Sequence, residues 1–317
     1  MPEVANLSPL FRFSDEVAET LARGGPIVAL ESNVVAHGFR YPDNVAIALE
    51  VEQAVRAAGA VPATISIADG RIVVGASADE LESLATAADV AKVTSRDIAV
   101  TLARGAAGAT SISATMAIAD RVGITTVASA GLGGVHRGAE VSMDISADLT
   151  ELARTRLIVV CAGVKKILDA GLTLEFLETQ GTPVIGYRHL EFPAFYCRDS
   201  GFRTQTRLDD PARIARVARL HLELGGSGSV LITHPIPVED ALDGERIEAA
   251  IRQALARAEA ERIIGPAVTT FVLRAVDAAT GGDAAAANRA VLVSTAHAAA
   301  EIEAARSVVE QGVSHAV

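Results

Sequence analysis

Lysine is the scarcest basic residue in this 317-residue chain, and its few positions draw attention first. The lysines are Lys92, Lys165 and Lys166, whereas the other strongly basic residues are all arginine. A primary amine can lose its proton, attack a carbonyl-type carbon and form an imine, and a guanidinium can do none of these. The pattern therefore favours a covalent role for one of these lysines. The alternative is that all three lie on solvated surfaces.

The position of Lys165 favours the chemical role. Lys165 follows directly on the apolar, β-branched run Leu157–Ala162, which predicts a buried strand. Open α/β sheets carry their sites at the carboxyl ends of such strands. We expect the adjacent Lys166 to lower the pKa of Lys165 by repulsion if both are partly buried. Lys92 lies in another short apolar segment, Val90–Val93.

A glycine-rich segment, Gly131–Gly138, follows the predicted strand Thr125–Ala130 and contains His136 and Arg137. Glycines permit close backbone approach to an anion, and the two side chains add donors. The segment is typical of a loop that contacts a phosphate or a sugar. An ordinary turn is the alternative.

Acidic residues occur at two further places where chemistry is expected. Asp144 and Asp148 lie four residues apart before the predicted helix Leu149–Arg154, and carboxylates of this kind suit Mn²⁺ or Mg²⁺. They could equally be favourable charges at a helix N-terminus. Glu31 ends the predicted strand Pro26–Glu31, where a carboxyl can act as general acid or base, or simply as an ion-pair partner.

These residues must be positioned by an alternation of strands and helices. The apolar, β-branched runs predict strands at Pro26–Glu31, Ala63–Ala68, Arg71–Gly75, Thr125–Ala130, Leu157–Ala162, Pro183–Tyr187 and Ser229–Thr233. Helical patterns lie at Tyr41–Gly59, Ala78–Asp89, Pro211–Leu224, Gly244–Ile263, Val268–Ala279 and Asp283–Gln311. The order predicts an α/β protein with helices on both faces of one sheet and a helical C-terminal part, in a single domain over residues 1–317.

Composition and charge exclude several classes of protein. The net charge of −11 argues against a nucleic-acid partner, which would need a basic face. Two cysteines do not make a disulfide framework. No secretory signal pattern and no membrane-spanning apolar run is visible, so we expect a soluble cytoplasmic protein with no membrane partner. The first strand lacks a following G-x-G-x-x-G, which disfavours a dinucleotide-dependent oxidoreductase.

Several segments together resemble the pseudouridine-5'-phosphate glycosidase family, also called indigoidine-synthase-A-like proteins. The matching segments occur in family order between about residues 26 and 270, and the blocks that contain His136 and Asp144 are the most specific. They are Ala29–Ser32 with His37-Gly38, Ala91–Val93, Gly133–Glu140, Asp144–Leu149, Cys161–Lys165, Leu177–Thr179, Phe192–Tyr196 and Pro235–Pro237.

The resemblance implies a three-layer α/β/α fold with a mixed central sheet, a homotrimer and a divalent metal, usually manganese. It implies that Lys165 is the nucleophile, Glu31 the acid/base and Asp144 a metal-binding residue. The site for ribose 5-phosphate would be lined by Lys92, Ile112, Ser146, Ala147 and Asp148, with His136 nearby. The implied reaction makes or breaks the C–C bond between C1 of ribose 5-phosphate and an aromatic base, as in pseudouridine 5'-phosphate + water ⇌ uracil + ribose 5-phosphate.

The chain departs from the family pattern mainly towards its C-terminus. His234 stands where an Asn is usual, Ser294 and Thr295 lie where paired Asn residues are usual, and Pro266 and Thr270 replace Lys and Pro. Loss of amides that would recognise a uracil-like edge should weaken uracil selection. One alternative is therefore a C-glycosynthase of the alnumycin type, which attaches ribose 5-phosphate to an aromatic, polyketide-like natural product. A second alternative is an inactive sugar-phosphate-binding protein.

Overall fold

The strands of the protein form one large mixed sheet and a small β-ribbon. The computed structural model describes residues 9–263 and 266–314. The strands in these residues are β1 (Phe11–Phe13), β2 (Ile27–Glu31), β3 (Val61–Ala68), β4 (Arg71–Val74), β5 (Ala91–Val93), β6 (Gly108–Thr110), β7 (Thr126–Ala128), β8 (Val135–His136), β9 (Ile158–Cys161), β10 (Leu168–Asp169), β11 (Val184–Tyr187), β12 (Thr206–Leu208) and β13 (Val230–Thr233).

The helices fill the connections and almost all of the C-terminal part. They are α1 (Asp15–Ala22), α2 (Asn33–His37), α3 (Asp43–Ala57), α4 (Ala78–Thr86), α5 (Ile98–Ala103), α6 (Ile112–Val122), α7 (Ala139–Ser142), α8 (Ala147–Arg154), α9 (Ala170–Thr179), α10 (Pro211–Glu223), α11 (Gly244–Ala260), α12 (Pro266–Thr280) and α13 (Asp283–Ser314). Short 3₁₀ turns lie at Ser95–Asp97 and Val238–Asp240.

The sheet is mostly parallel, and its order is β1-β4-β3-β2-β7-β9-β13-β11-β12. The strands β3, β2, β7, β9, β13 and β11 run parallel to one another, so their carboxyl ends meet at one edge. The strands β4 and β6 pair antiparallel with β3, and β1 and β5, which pair parallel with β4 and β6, therefore run in the opposite direction as well. The mixed sheet and the helical C-terminal part confirm the predicted fold class. That one domain spans residues 1–317 stays a prediction.

Helices cover the sheet on both faces because their apolar sides pack on its buried strands. On one face α13 lies across β2, β7 and β9 and also packs against α3 and α10. On the other face α6 packs on β2 and β7 and against α8. Local sequence sets several helix starts: Ser77 and Glu80 form a capping box at α4, and Asp210 caps α10 before Pro211.

The long C-terminal helix is tied to the sheet by a buried carboxylate. Glu303 is 1% exposed and accepts hydrogen bonds from the hydroxyls of Thr125 and Thr126 and from the guanidinium of Arg306. This network fixes α13 over the start of β7. Among the described residues, none of the helices has both the length and the unbroken apolar character that a bilayer crossing requires.

Candidate active site

Three neighbouring strands bring the candidate catalytic residues to one edge of the sheet. Glu31 is the last residue of β2, Ser129 follows β7, and Lys165 lies four residues after the end of β9. Since β2, β7 and β9 are adjacent and parallel, their ends lie side by side. This is the edge where the sequence predicted the site.

Glu31 is held in a desolvated position. The hydroxyl of Ser129 donates a short hydrogen bond to its carboxyl oxygen Oε1. Burial raises the pKa of Glu31, and this effect outweighs the opposing charges of Lys165 and Lys92 and the Ser129 bond. A carboxyl with a raised pKa can keep its proton at a higher pH than an exposed one. It is therefore suited to deliver that proton to a substrate oxygen.

The segment that carries Lys165 is fixed by backbone contacts on both sides. Gly163 adopts φ +69°, and a Cβ there would overlap the carbonyl oxygen of Pro193. On the other side the amide of Lys165 donates to the carbonyl of Leu132, at 3.3 Å. The aromatic cluster Phe192–Tyr196 is buried and anchors this segment, because the amide of Phe195 donates to the carbonyl of Ala162.

Asp148 joins three parts of the site. Its carboxylate accepts hydrogen bonds from the backbone amides of Ser113, at 3.1 Å, and Gly133, at 2.8 Å. Gly133 has no room for a side chain, since a Cβ would overlap Ser146 and Asp148 themselves. Asp148 is 8% exposed. It therefore holds the glycine-rich loop against the starts of α6 and α8, and its charge also acts on Glu31.

Lys92 is the second cation of the site. It lies on β5, and its charge and that of Lys165 act on each other and on Glu31. The residue as a whole is exposed, but loss of water around its ammonium group lowers its pKa, and Lys165 lowers it further. The charge of Lys92 also acts on His37. Burial lowers the pKa of the His37 imidazole most, and the charge of Lys92 lowers it further.

Lys166 lies in different surroundings from those of Lys165, although the two are adjacent in the chain. It lines a separate surface cavity of about 710 Å³ together with Arg137 and Glu248, and its charge acts on Glu248 and Cys197. The cation that acts on Glu31 together with Lys165 is Lys92. That Lys166 acts on Lys165 stays a prediction.

The remaining residues predicted around ribose 5-phosphate gather at two helix starts. Ile112 is the first residue of α6, and Lys92 is paired with Ala109 on the strand that leads into that helix. Ser146 caps α8, and its hydroxyl accepts a hydrogen bond from the backbone amide of Asp148, at 3.2 Å. Ala147 is the first residue of α8. Helix starts present free amides that suit an anion.

His136 and Asp144 form the part of the site that could hold a metal. The Nδ1 of His136 lies 3.7 Å from an oxygen of Asp144, whose side chain is 49% exposed. Two such ligand atoms can share one cation, and water can complete its shell at the exposed carboxylate. The described residues contain no group of three His, Cys, Asp or Glu side chains arranged around one point. A metal here would thus depend largely on water ligands.

The predicted aglycone-side residues lie where β13 meets α13. His234 follows β13, and its Nε2 lies 2.9 Å from the hydroxyl of Ser294. Burial lowers the pKa of His234 to about 4, so the ring is neutral at neutral pH. Thr295 is buried and lines a small cavity that Glu31 also borders. The side chains of Pro266 and Thr270 lie outside the described residues.

Ser129 and Ser113 contact the site residues but were not predicted from the sequence as parts of it. Ser129 stands 98 residues from Glu31, and Ser113 stands 35 residues from Asp148. The available signal for Ser129 was its place directly after a strand that could neighbour β2. No local pattern marks a hydroxyl as the partner of a distant carboxyl.

Comparison with known proteins gives matches over nearly the whole chain. Residues 16–305 match the family model of indigoidine synthase A like proteins. The chain is 55% identical over 287 residues to a pseudouridine-5'-phosphate glycosidase of Dickeya dadantii, covering 90% of this chain and 91% of that protein. It is 53% identical over 299 residues to pseudouridine-5'-phosphate glycosidase 1 of Photorhabdus laumondii, covering 94% of each.

A solved structure shares the fold as well. The crystal structure of the prealnumycin C-glycosynthase AlnA, in complex with ribulose 5-phosphate, superposes with a TM-score of 0.91 at 43% identity. The match covers 96% of this chain and 100% of that one.

Proposed function

The chain is an enzyme of the indigoidine synthase A like family, to which the pseudouridine-5'-phosphate glycosidases belong, and we propose that it makes or breaks the C–C bond between C1 of ribose 5-phosphate and uracil, through an imine on Lys165. The observation that carries the proposal is the desolvated carboxyl of Glu31, which Ser129 orients and on which the charges of Lys165 and Lys92 act.

The first step is the opening of the ribose ring. An ordinary glycosidase expels an oxygen or nitrogen leaving group, but here the atom to be expelled is carbon. Glu31, protonated, gives its proton to the ring oxygen as the bond from that oxygen to C1 breaks. The amine of Lys165 then forms a bond to C1 and gives a proton back to the Glu31 carboxylate, which can later supply it to the base carbon. The acid and the nucleophile come from the ends of β2 and β9, the two strands that flank β7.

The second step is the cleavage of the carbon–carbon bond. The nitrogen lone pair forms a C1=N bond while the electron pair of the broken C–C bond goes to the base carbon, which takes a proton. Water then hydrolyses the imine and releases ribose 5-phosphate and free Lys165. Each step runs in reverse for synthesis. Mixing the protein with pseudouridine 5'-phosphate and quantifying uracil and ribose 5-phosphate by chromatography tests the reaction: equal amounts support it, and no release of uracil contradicts it.

Substrate binding is proposed for the two helix starts beside the catalytic pair. Lys92 supplies a cation there, and the starts of α6 and α8 supply amides. We propose that Lys92, Ile112, Ser146, Ala147 and Asp148 surround ribose 5-phosphate, with His136 nearby. Asp148 would act chiefly by fixing the glycine-rich loop, since its carboxylate already accepts two backbone amides.

A divalent cation, Mn²⁺ or another, is proposed at Asp144. The exposed carboxylate and the nearby His136 suit a hard cation that keeps several waters. Such an ion would supply positive charge beside the sugar-phosphate site. Titration calorimetry with Mn²⁺ tests this without reference to activity: binding by the parent that Asp144→Asn weakens supports it, and equal binding by both contradicts it.

We propose that the protein is a homotrimer in the cytoplasm. The support for the trimer is a pair of exposed apolar side chains beside the site, with Val141 88% and Met143 75% exposed. Exposed apolar patches mark protein–protein contact sites. Light scattering coupled to size-exclusion chromatography should give a mass near three times 32.7 kDa. A mass of one chain would contradict the trimer.

A second candidate is a C-glycosynthase that uses an aromatic natural product in place of uracil. It is favoured by the neutral pair of His234 and Ser294, which stands where amides would be expected, and by the likeness to the C-glycosynthase AlnA. Turnover of ribose 5-phosphate with hydroxylated polycyclic aromatics, but not with uracil, would favour this candidate. The alternative of an inactive sugar-phosphate-binding protein is disfavoured, because Glu31, Lys92 and Lys165 act on one another at one edge.

A further inference from the structure

A small cavity lies directly behind Glu31, between the sheet and the helices α3 and α13. Most of its lining is apolar, with side chains from Leu30, Val51 and Leu292 among others. Its polar lining residues are Glu31, Thr64, Ser129 and Thr295. The oxygen-bearing side chains of these four residues could hydrogen-bond a small polar occupant in an otherwise apolar space.

The cavity has the size of a single water molecule. About 20 Å³ of it is open to the centre of a water-sized sphere. A buried water needs roughly 10–15 Å³ by this measure and two or more polar partners. The hydroxyl of Thr295 already donates to the carbonyl of Val291, so it can serve as an acceptor. The space therefore suits one water in contact with Glu31 and Thr64, and nothing larger.

A second desolvated carboxyl lies on the far side of Thr64. The hydroxyl of Thr64 donates to Oε1 of Glu52, at 2.6 Å. Thr64 is 2% exposed, whereas Glu52 on α3 is only half-buried and so reaches solvent. Within the described part of the chain, Thr64 both lines the cavity and hydrogen-bonds a carboxyl that can exchange protons with bulk water.

We propose that one buried water and the hydroxyl of Thr64 connect Glu31 to Glu52 as a proton relay, which sets the protonation of Glu31 from behind the active site. The inference rests on the proposed function of Glu31 as the acid/base. When a sugar phosphate fills the front of the site, Glu31 loses direct contact with solvent. The path between the sheet and α3 then remains open.

The proton transfers balance along the chain. Outward, Glu31 gives its proton to the water, the water gives one to the oxygen of Thr64, and Thr64 gives its own to Glu52; inward, each transfer reverses. The charged groups around Glu31 are Lys165, Lys92 and Asp148. Those around Glu52 are Arg56 on its own helix and Glu16 on α1. Burial raises the pKa of both carboxyls, which brings their proton affinities closer together.

The test compares three variants in the full-length enzyme. Thr64→Val keeps the shape of the side chain and removes the hydroxyl, whereas Thr64→Ser keeps the hydroxyl. Glu52→Gln removes the outer proton store. We expect Thr64→Val and Glu52→Gln to lower kcat about tenfold, with KM for the sugar phosphate unchanged. We also expect a larger solvent deuterium isotope effect on kcat in both, and partial recovery by small carboxylic acids. Thr64→Ser should stay close to the parent.

Two results would overturn the relay. One is a Thr64→Val enzyme with the kcat and isotope effect of the parent. The other is a high-resolution structure of the parent with no water in the cavity, which needs no activity at all. Failure of the proposed function looks different: the parent itself would then leave pseudouridine 5'-phosphate and ribose 5-phosphate unchanged, while the ordered water would still be present.

Discussion

The Nε2 atom of His234 lies 2.9 Å from the hydroxyl oxygen of Ser294, so the end of β13 is bonded to the long helix α13. Both residues depart from the pattern of the family that the sequence resembles, and the structure shows that they contact each other. Burial lowers the pKa of His234 to about 4, and the pair is therefore neutral at neutral pH. It forms one polar unit on the proposed aglycone side.

His234→Phe and Ser294→Ala should have non-additive effects on the use of the aglycone. Each single change breaks the same hydrogen bond, so we expect each to lower kcat/KM for the C-glycoside by about 5–10-fold, and the double variant to lose little more than either single one. Steady-state kinetics on the parent, the two single variants and the double variant give the coupling free energy between the two residues. Additive losses would show that the two residues act separately, and a changed KM for ribose 5-phosphate would place them on the sugar side.

Glu31→Gln should lower the activity of the enzyme without lowering its stability. Removal of the proton donor should lower kcat by roughly 10²–10⁴-fold. Because burial raises the folded-state pKa of Glu31 above its ordinary value of 4.5, the buried carboxylate costs stability above that folded pKa, and the cost vanishes below pH 4.5.

Thermal unfolding of that variant should therefore depend on pH. We expect Glu31→Gln to melt a few degrees above the parent at pH 8 and at the same temperature as the parent at pH 4. In a chain of this size, each kcal/mol of unfolding free energy shifts the melting temperature by about 4 °C or less. The exposed Glu19→Gln should melt like the parent at both pH values. A lower melting temperature of Glu31→Gln at pH 8 would contradict the account of this carboxyl.

Gly163→Ala should damage the site more than a glycine substitution with the same backbone angle elsewhere. Gly163 and Gly181 both have φ +69°, but a Cβ at Gly163 would overlap Pro193, whereas Gly181 has nothing within 4 Å. Gly181→Ala should therefore cost about 1–2 kcal/mol of unfolding free energy, from backbone strain alone. Gly163→Ala should cost about 1–3 kcal/mol more and lower kcat about 100-fold. Urea unfolding and kinetics on both variants check this, and equal effects would be inconsistent with the overlap.

Glu303→Gln should loosen the attachment of α13. The carboxylate is 1% exposed and accepts hydrogen bonds from Thr125, Thr126 and Arg306, so a neutral amide in its place loses the charge and part of these bonds inside the protein. We expect a loss of about 3–5 kcal/mol of unfolding free energy. Asp209→Asn breaks a pair with Arg207 in which both side chains are at least half exposed, and should cost at most about 1 kcal/mol. Similar urea midpoints for the two variants would count against the buried network.

The central strands and the main helices could be predicted from the sequence because their patterns are long and local. The run Leu157–Ala162 predicts β9, and the 3.6-residue spacing of Pro211–Leu224 predicts α10. The short strands β1, β5, β6 and β12 could not be predicted in this way. Each has 3 residues, and each forms only because a distant strand pairs with it.

Some residues of the site could likewise be predicted from the sequence, and others could not. Lys165, Glu31 and Asp148 could be chosen because each stands at a strand end or before a helix. The partner of Glu31 could not, since Ser129 reaches it only through the adjacency of β2 and β7. The interaction between Lys165 and Lys92 likewise depends on the packing of β5 beside β6, which no local sequence pattern indicates.

The most direct test of the imine is intact-protein mass spectrometry after incubation with ribose 5-phosphate, Mn²⁺ and borohydride. The parent should gain one reduced sugar-phosphate adduct that maps to Lys165. Lys165→Arg, which keeps the charge but cannot form an imine, should gain none. Lys166→Arg should still gain it, because Lys166 lines a different cavity. No adduct on the parent, or an equal adduct on Lys165→Arg, would contradict the mechanism.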